Sequence, residues 1–221
     1  MYYVVMDLEF NQAFDFDGLG AADVEDCRFE VIQLGAVVMN ERFEATGRRN
    51  IRVKPVIYPR MHPVVEGMTR LTNAVLSVMP TFPEVFDEIA ALLPPRNSVI
   101  CTWGGSDVRL LNENIRFYGL DASRITRRYI NVQQIASRYL KHGAGRQVGL
   151  KNAVEELNIH IGNPFHDAVN DAVYTAKVFE IVKYDSVDIK TYTFKDARPQ
   201  HPPLPFGLGG AEAAPRNNPA S

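Results

Sequence analysis

Apolar residues run unbroken from Tyr2 to Met6 and then alternate with carboxylates through Asp7-Leu8-Glu9-Phe10. The run is rich in β-branched and aromatic residues, which predicts a buried strand. Side chains two apart on a strand share a face, so Asp7 and Glu9 project together from its far end. A second apolar run, Glu30 to Val38, predicts another strand, with Asn40-Glu41 as a turn and a third strand near Arg49 to Val56. These three form a meander. Pro55, Pro59 and Pro63 then break regular structure and predict an irregular, partly helical crossover as far as Asn73.

The spacing turns helical from Thr81, a capping residue followed by Pro83, with Val85, Phe86, Ile89, Leu92 and Leu93 recurring until Pro94-Pro95. Ser98 to Thr102 predicts a short buried strand. Helices are expected over Val108 to Tyr118, stopped by Gly119, over Gln133 to Leu140, and over Leu150 to Leu157, closed by Asn158. A short strand fits Arg128 to Val132. The longest helix is expected from Ala168 to Val182, with Val169, Val173, Ala176 and Phe179 as its core stripe. Strands clustered early and alternating with helices later predict an α/β fold with a mixed central β-sheet flanked by helices.

Composition adds bounds to this picture. The chain has 221 residues, 46% hydrophobic and 23% charged, enough for one globular domain and some surplus. The surplus is C-terminal. Residues 1–184 form the expected domain, 185–197 an extension in which Thr191 to Lys195 could add a strand, and 198–221, rich in Pro, Gly, Ala and Asn, a disordered tail. The net charge of −2 means that any polyanionic partner must meet a local basic patch. Two cysteines, Cys27 and Cys101, make neither a disulfide framework nor a zinc site. No run has the length of a membrane span and no signal peptide is visible, so a cytoplasmic location is expected. The acidic stretch after Phe10, with Asp15, Asp17, Asp23, Glu25 and Asp26, reads as a solvated loop; it lacks the later ligand positions of a calcium loop. Gly143-Ala144-Gly145-Arg146 reads as a connector, since it lacks the ending of a phosphate loop.

Two carboxylates side by side at the end of a core strand repel each other and lose hydration, and a divalent metal is the natural compensator. Three further residues stand where an α/β fold places functional groups. Asp107 follows a strand and enters a helix, Asp171 lies in the first turns of the long helix, and His166 precedes its N-cap, Asp167. Singly, each has a plainer reading as a dipole-facing acid, a cap or a surface histidine. Together, Asp7-Leu8-Glu9, then Trp103-Gly104-Gly105-Ser106-Asp107 with Leu111, then His166-Asp167-Ala168-Val169-Asn170-Asp171-Ala172 resemble the signature of the DEDDh 3′-to-5′ exonucleases. This is the RNase T and DnaQ-like group of the ribonuclease H-like fold. Gly149-Leu150-Lys151-Asn152-Ala153 resembles that family's approach to the third motif. Within the family the likeness is to ERI-1 and KapD-like exonucleases, with Leu71-Thr72-Asn73-Ala74 where they carry Leu-Thr-Gly-Ile.

The resemblance implies a two-metal phosphodiester hydrolase in which Asp7, Glu9, Asp107 and Asp171 hold two Mg²⁺ ions, replaceable by Mn²⁺, with His166 as general base. An ordinary imidazole pKa of about 6.5 suits that role. The expected partner is a single-stranded 3′ end, RNA before DNA, and the expected product a nucleoside 5′-monophosphate. Leu8, Phe10, Met68 and Leu71 are candidate wedges on the terminal base, Thr72 lies near them, and Arg146 and Lys151 are phosphate candidates. Two other readings stand beside this one. A DNA exonuclease of proofreading or repair type differs in whether a group reaches the 2′-hydroxyl. A silent nucleic-acid-binding module would not bind metal.

Overall fold

In a computed structural model, residues 1–14, 24, 26–143, 146–183 and 189–191 are described. The predicted first strand, β1, covers Tyr2–Gln12, and β2 covers Phe29–Met39. They pair antiparallel, and β2 pairs in turn with β3, Ala45–Arg52. Helices α1 (Pro63–Thr69), α2 (Asn73–Leu76) and α3 (Phe82–Leu92) precede β4, Ser98–Thr102, which runs parallel to β1. Then come α4 (Ser106–Phe117), β5 (Arg128–Asn131), α5 (Val132–Tyr139), α6 (Leu150–Glu156), α7 (Ala168–Val182) and the two-residue β6 (Lys190–Thr191). The strand order is β3-β2-β1-β4-β5-β6, a mixed sheet with β1 central. No described helix is long and apolar enough to cross a membrane.

The alternation along β1 divides the core. Val4, Met6 and Leu8 join Phe82, Phe86 and Ile89 of α3 and Leu111 and Ile115 of α4 on one face. Tyr3 and Val5 join Ala172, Ala176, Phe179 and Val182 of α7 on the other. Asp7 and Glu9 continue the second row, so the pair belongs to the face that α7 covers.

Three elements depart from expectation. The third strand lies earlier than Arg49 to Val56, because the segment after Val53 is drawn away by a buried carboxylate. Glu30 accepts the backbone N–H groups of Val56, Ile57 and Tyr58 and the Tyr118 hydroxyl. Those amides therefore cannot enter a ladder. On α7, Val169 and Val173 are only half-buried, while Ala172, Ala176, Phe179 and Val182 line the core. The helix is rotated so that Ala168 and Asp171 meet the sheet. Helix α4 starts at Ser106, ahead of Val108, so Asp107 lies inside its first turn. The acidic loop over 15–23, most of the 185–197 extension and the tail lie outside the described residues.

Candidate active site

Three elements bring the carboxylates together. β1 supplies Asp7 and Glu9. The turn after β4, where the Thr102 hydroxyl donates to the Gly104 carbonyl at 2.7 Å and Gly104 takes a φ of 102°, reverses the chain so that α4 begins with Asp107 near the sheet. Positive φ of this size suits glycine, which has no Cβ to clash. Asp171 comes from the first turn of α7, whose N-cap is Asp167: its carboxylate accepts from the Val169 and Asn170 amides, as expected of a cap.

What sets α7 against the sheet is Gly35. It pairs directly with Asp7, and a Cβ added there would lie 2.1 Å from the carbonyl carbon of Ala168 and 2.2 Å from the Val169 nitrogen. The helix backbone therefore packs on the glycine itself. One rung along, Gln33 pairs with Glu9 and is fully buried. Its side-chain oxygen accepts from the Ala168 amide at 3.3 Å, and its amide nitrogen donates to Asn50 at 3.0 Å and Asp167 at 3.4 Å. Both residues position the site, and the motifs do not include them. A glycine inside an otherwise apolar strand was the available signal, since it marks close approach of another backbone.

One oxygen from each of Asp7, Glu9 and Asp171 lies within 4.8 Å of the others. Asp171 is 8% exposed and Asp107 6% exposed. Burial, then repulsion from Asp107, Asp171 and Glu9, holds the Asp7 carboxyl well above the carboxylate range. Glu9 is pushed up to about 8 by burial and by Asp171 and Asp107. Burial lifts Asp107 to about 7, against a hydrogen bond from Ser106. Asp171 is also raised by burial, opposed by the His166 amide and its nearby charge. Four carboxyls raised by burial, two of them also by others of the four, describe a site built for positive charge. One oxygen of Asp171, Oδ1, is buried and has no hydrogen-bond partner among the described residues, while Oδ2 accepts the His166 amide at 3.0 Å. An all-oxygen donor set with an unmatched buried acceptor fits a hard divalent cation.

His166 lies at the rim, exposed, with a left-handed φ of 65° that turns its N–H toward Asp171. The model matched over residues 4–179 is that of the RNase T exonucleases. The chain belongs to this exonuclease family. It is a 3′-to-5′ exonuclease of DEDDh type, a hydrolase. The probable 3′-5′ exonuclease KapD of Bacillus subtilis is 25% identical over 158 residues, 71% of this chain and 74% of the relative. Human ERI1 exoribonuclease 3 is 24% identical over 165 residues, 70% of this chain and 48% of the relative. The chain thus spans about half the length of the latter. The nuclease domain of 3′hExo, a DEDDh family member solved bound to rAMP, superposes with a TM-score of 0.71 at 19% identity, covering 87% of this chain and 97% of that one. That likeness shows the ribonuclease H-like fold.

The substrate-contact candidates fare differently. Leu8 points to the α3 and α4 face, opposite Asp7, and is core. Leu71 is 4% exposed in a small cluster with Ile32, Met61 and Leu76, so it too is packing and presents nothing to a base. Phe10 follows a bulge after Glu9, sits half-buried against Phe29, and packs with the α3 and α4 cluster rather than the carboxylate face. Met68, on α1, is 47% exposed. Thr72 spends its hydroxyl as the N-cap of α2. Asn73 donates to the Pro59 carbonyl and accepts from the Met61 amide, pinning that turn. Lys151 lies 3.9 Å from Glu155, and Arg146 is exposed.

Proposed function

We propose that the chain removes nucleotides one at a time from single-stranded 3′ ends, RNA in preference to DNA, and releases nucleoside 5′-monophosphates. The observation that carries this reading is the Asp7, Glu9 and Asp171 cluster, with oxygens within 4.8 Å of one another and one buried Asp171 oxygen left unmatched. Asp7, Glu9, Asp107 and Asp171 would hold two Mg²⁺ ions, with Mn²⁺ able to substitute. When bound, the ions neutralise the phosphoryl group, lower the pKa of the attacking water and stabilise the leaving oxygen. The family match over residues 4–179 supports residues 1–184 as the catalytic unit.

The chain's own residues do the rest. His166 is the general base, placed outside the acidic cluster on an exposed turn where its ring can reach a solvent-delivered water and pass the proton on. The hydrogen bond that its backbone N–H donates to Asp171 Oδ2 ties the position of the base to that of a carboxylate that would hold metal. Asp7 and Glu9, fixed on the central strand, keep their geometry when substrate arrives. The RNA preference is supported by the exoribonuclease name of the human relative and by the rAMP in the 3′hExo nuclease domain. Matched RNA and DNA oligonucleotides, with products identified by chromatography against 5′- and 3′-monophosphate standards, test the reading. Faster release of 5′-monophosphates from RNA is expected; equal or faster hydrolysis of DNA, or 3′-monophosphate products, would overturn it.

A further inference from the structure

The edge strand β3 carries a strip of positive charge that the site described so far does not use. Between Glu44 and Glu66 the sequence holds Arg48, Arg49, Arg52, Lys54 and Arg60 and no carboxylate. Register divides the strip. Arg52 pairs with Gln33, which pairs with Glu9; Asn50 pairs with Gly35, which pairs with Asp7; Arg48 pairs with Val37. Directly paired residues share a face, so Arg48 and Arg52 lie on the carboxylate side of the sheet and Arg49 on the other. Two strand spacings separate Arg52 from Glu9, about 10 Å between backbones.

Arg48 is exposed and Arg52 half-buried, and neither makes an ion pair among the described residues. The Arg52 Nε is buried with no acceptor among the described residues, which fixes the stem of the side chain beneath the surface. A guanidinium has only donors, and the two cations, unpaired among the described residues, are left for an external anion at their exposed ends. Edge strands commonly carry charge to prevent pairing with another chain, but that purpose needs neither a single sign nor a covered donor.

We propose that Arg48 and Arg52 form a phosphate rail that holds the nucleotides on the 5′ side of the one being removed. The proposal rests on the nuclease reading above and deepens it: the ligand is the sugar-phosphate backbone, gripped without regard to base. The rail contributes to binding of longer strands and not to the chemical step, because it lies away from the carboxylates.

Steady-state hydrolysis of a dinucleotide and a dodecamer by the wild type, R48Q/R52Q, R48K/R52K and the opposite-face control R49Q tests this, with melting curves confirming the fold. The glutamine pair should raise KM for the dodecamer roughly tenfold and leave dinucleotide turnover within about twofold. Lysines should restore most of the loss, and R49Q should match the wild type. Two lost phosphate contacts at about 0.7 each should flatten the slope of log K against log salt by about 1.4. A folded R48Q/R52Q that keeps wild-type dodecamer KM and salt slope would overturn the rail, as would an equal loss on both substrates. Should the wild type degrade neither, the substrate reading fails separately. Anisotropy of a labelled dodecamer in EDTA still decides the rail: weaker, less salt-dependent binding by R48Q/R52Q supports it, and unchanged binding overturns it.

Discussion

Adding one methyl group at Gly35 tests how the site is assembled. A Cβ there would lie 2.1 Å from the Ala168 carbonyl carbon and 2.2 Å from the Val169 nitrogen, against an ordinary contact beginning at 3.4 Å. The obstacle is backbone, which no rotamer change relieves. The first turn of α7 must retreat by about 1.3 Å, the difference of those two distances. Asp171 sits in that turn, and the Ala168 amide would also leave Gln33. Overpacking of this kind costs about 1–3 kcal/mol, so Gly35→Ala should fold with a lowered Tm. A misplacement near 1 Å at a reacting centre costs on the order of 10²-fold in rate, and a similar loss of turnover at saturating metal is expected. Metal titrations should show weaker binding in parallel. Gly47→Ala, on the same sheet with nothing within 4 Å of an added Cβ, is the control and should behave as wild type. A Gly35→Ala enzyme with wild-type turnover and metal affinity would refute the claim that this contact sets the carboxylate geometry.

Asp7→Asn should abolish activity while the metal-free protein keeps or raises its Tm, since a buried carboxyl whose charged form burial and its neighbours disfavour is replaced by a neutral amide; the metal-induced rise in Tm should shrink, and an unchanged rise would remove Asp7 from the ligand set. The raised carboxyls also fix a pH trend. Glu9 titrates near 8 and Asp107 near 7 in the fold, so the unfolded chain releases those protons first and holds fewer of them from about pH 4 to 8. Metal-free stability should therefore fall as pH rises across that window, and saturating Mg²⁺ should reverse the slope; differential scanning calorimetry at steps between about pH 5 and 8 reads it, and a metal-free Tm that climbs with pH would contradict the assignment. His166→Ala should lower turnover by roughly 10²- to 10⁴-fold with metal binding nearly intact, whereas Asp171→Ala should lose both together. Near wild-type turnover in His166→Ala would exclude it as base.

The elements that the sequence made legible are those whose pattern is local. The apolar run into Asp7 and Glu9, the isolated buried strand before Asp107 and the capped start of α7 all carry their signals within a few residues. The five motif candidates each sit at the end of such an element, and the structure brings an oxygen of Asp7, Glu9 and Asp171 within 4.8 Å of one another. What the pattern missed depends on partners far along the chain. The end of β3 is set by Glu30, whose carboxylate captures amides 26 to 28 residues away. The phase of α7 is set by a glycine on β2, and no helical periodicity reveals where another strand lacks a Cβ. Leu8 and Leu71 read as wedge candidates in the sequence because hydrophobicity alone does not tell a core face from a substrate face; in the fold both are buried in core clusters. The strand register does so for Leu8, since its neighbours Asp7 and Glu9 occupy the other side.

The most direct test of the account is a time course with a 5′-labelled single-stranded RNA, wild type and Asp7→Asn, in Mg²⁺, Mn²⁺ or EDTA, resolved at nucleotide steps. The account predicts a ladder that shortens from the unlabelled 3′ end with the wild type in either metal, and an intact strand in EDTA or with the variant. Release of the 5′ label as a mononucleotide at the outset, or an undiminished ladder in EDTA, would contradict a metal-dependent 3′-to-5′ exonuclease built on these four carboxylates.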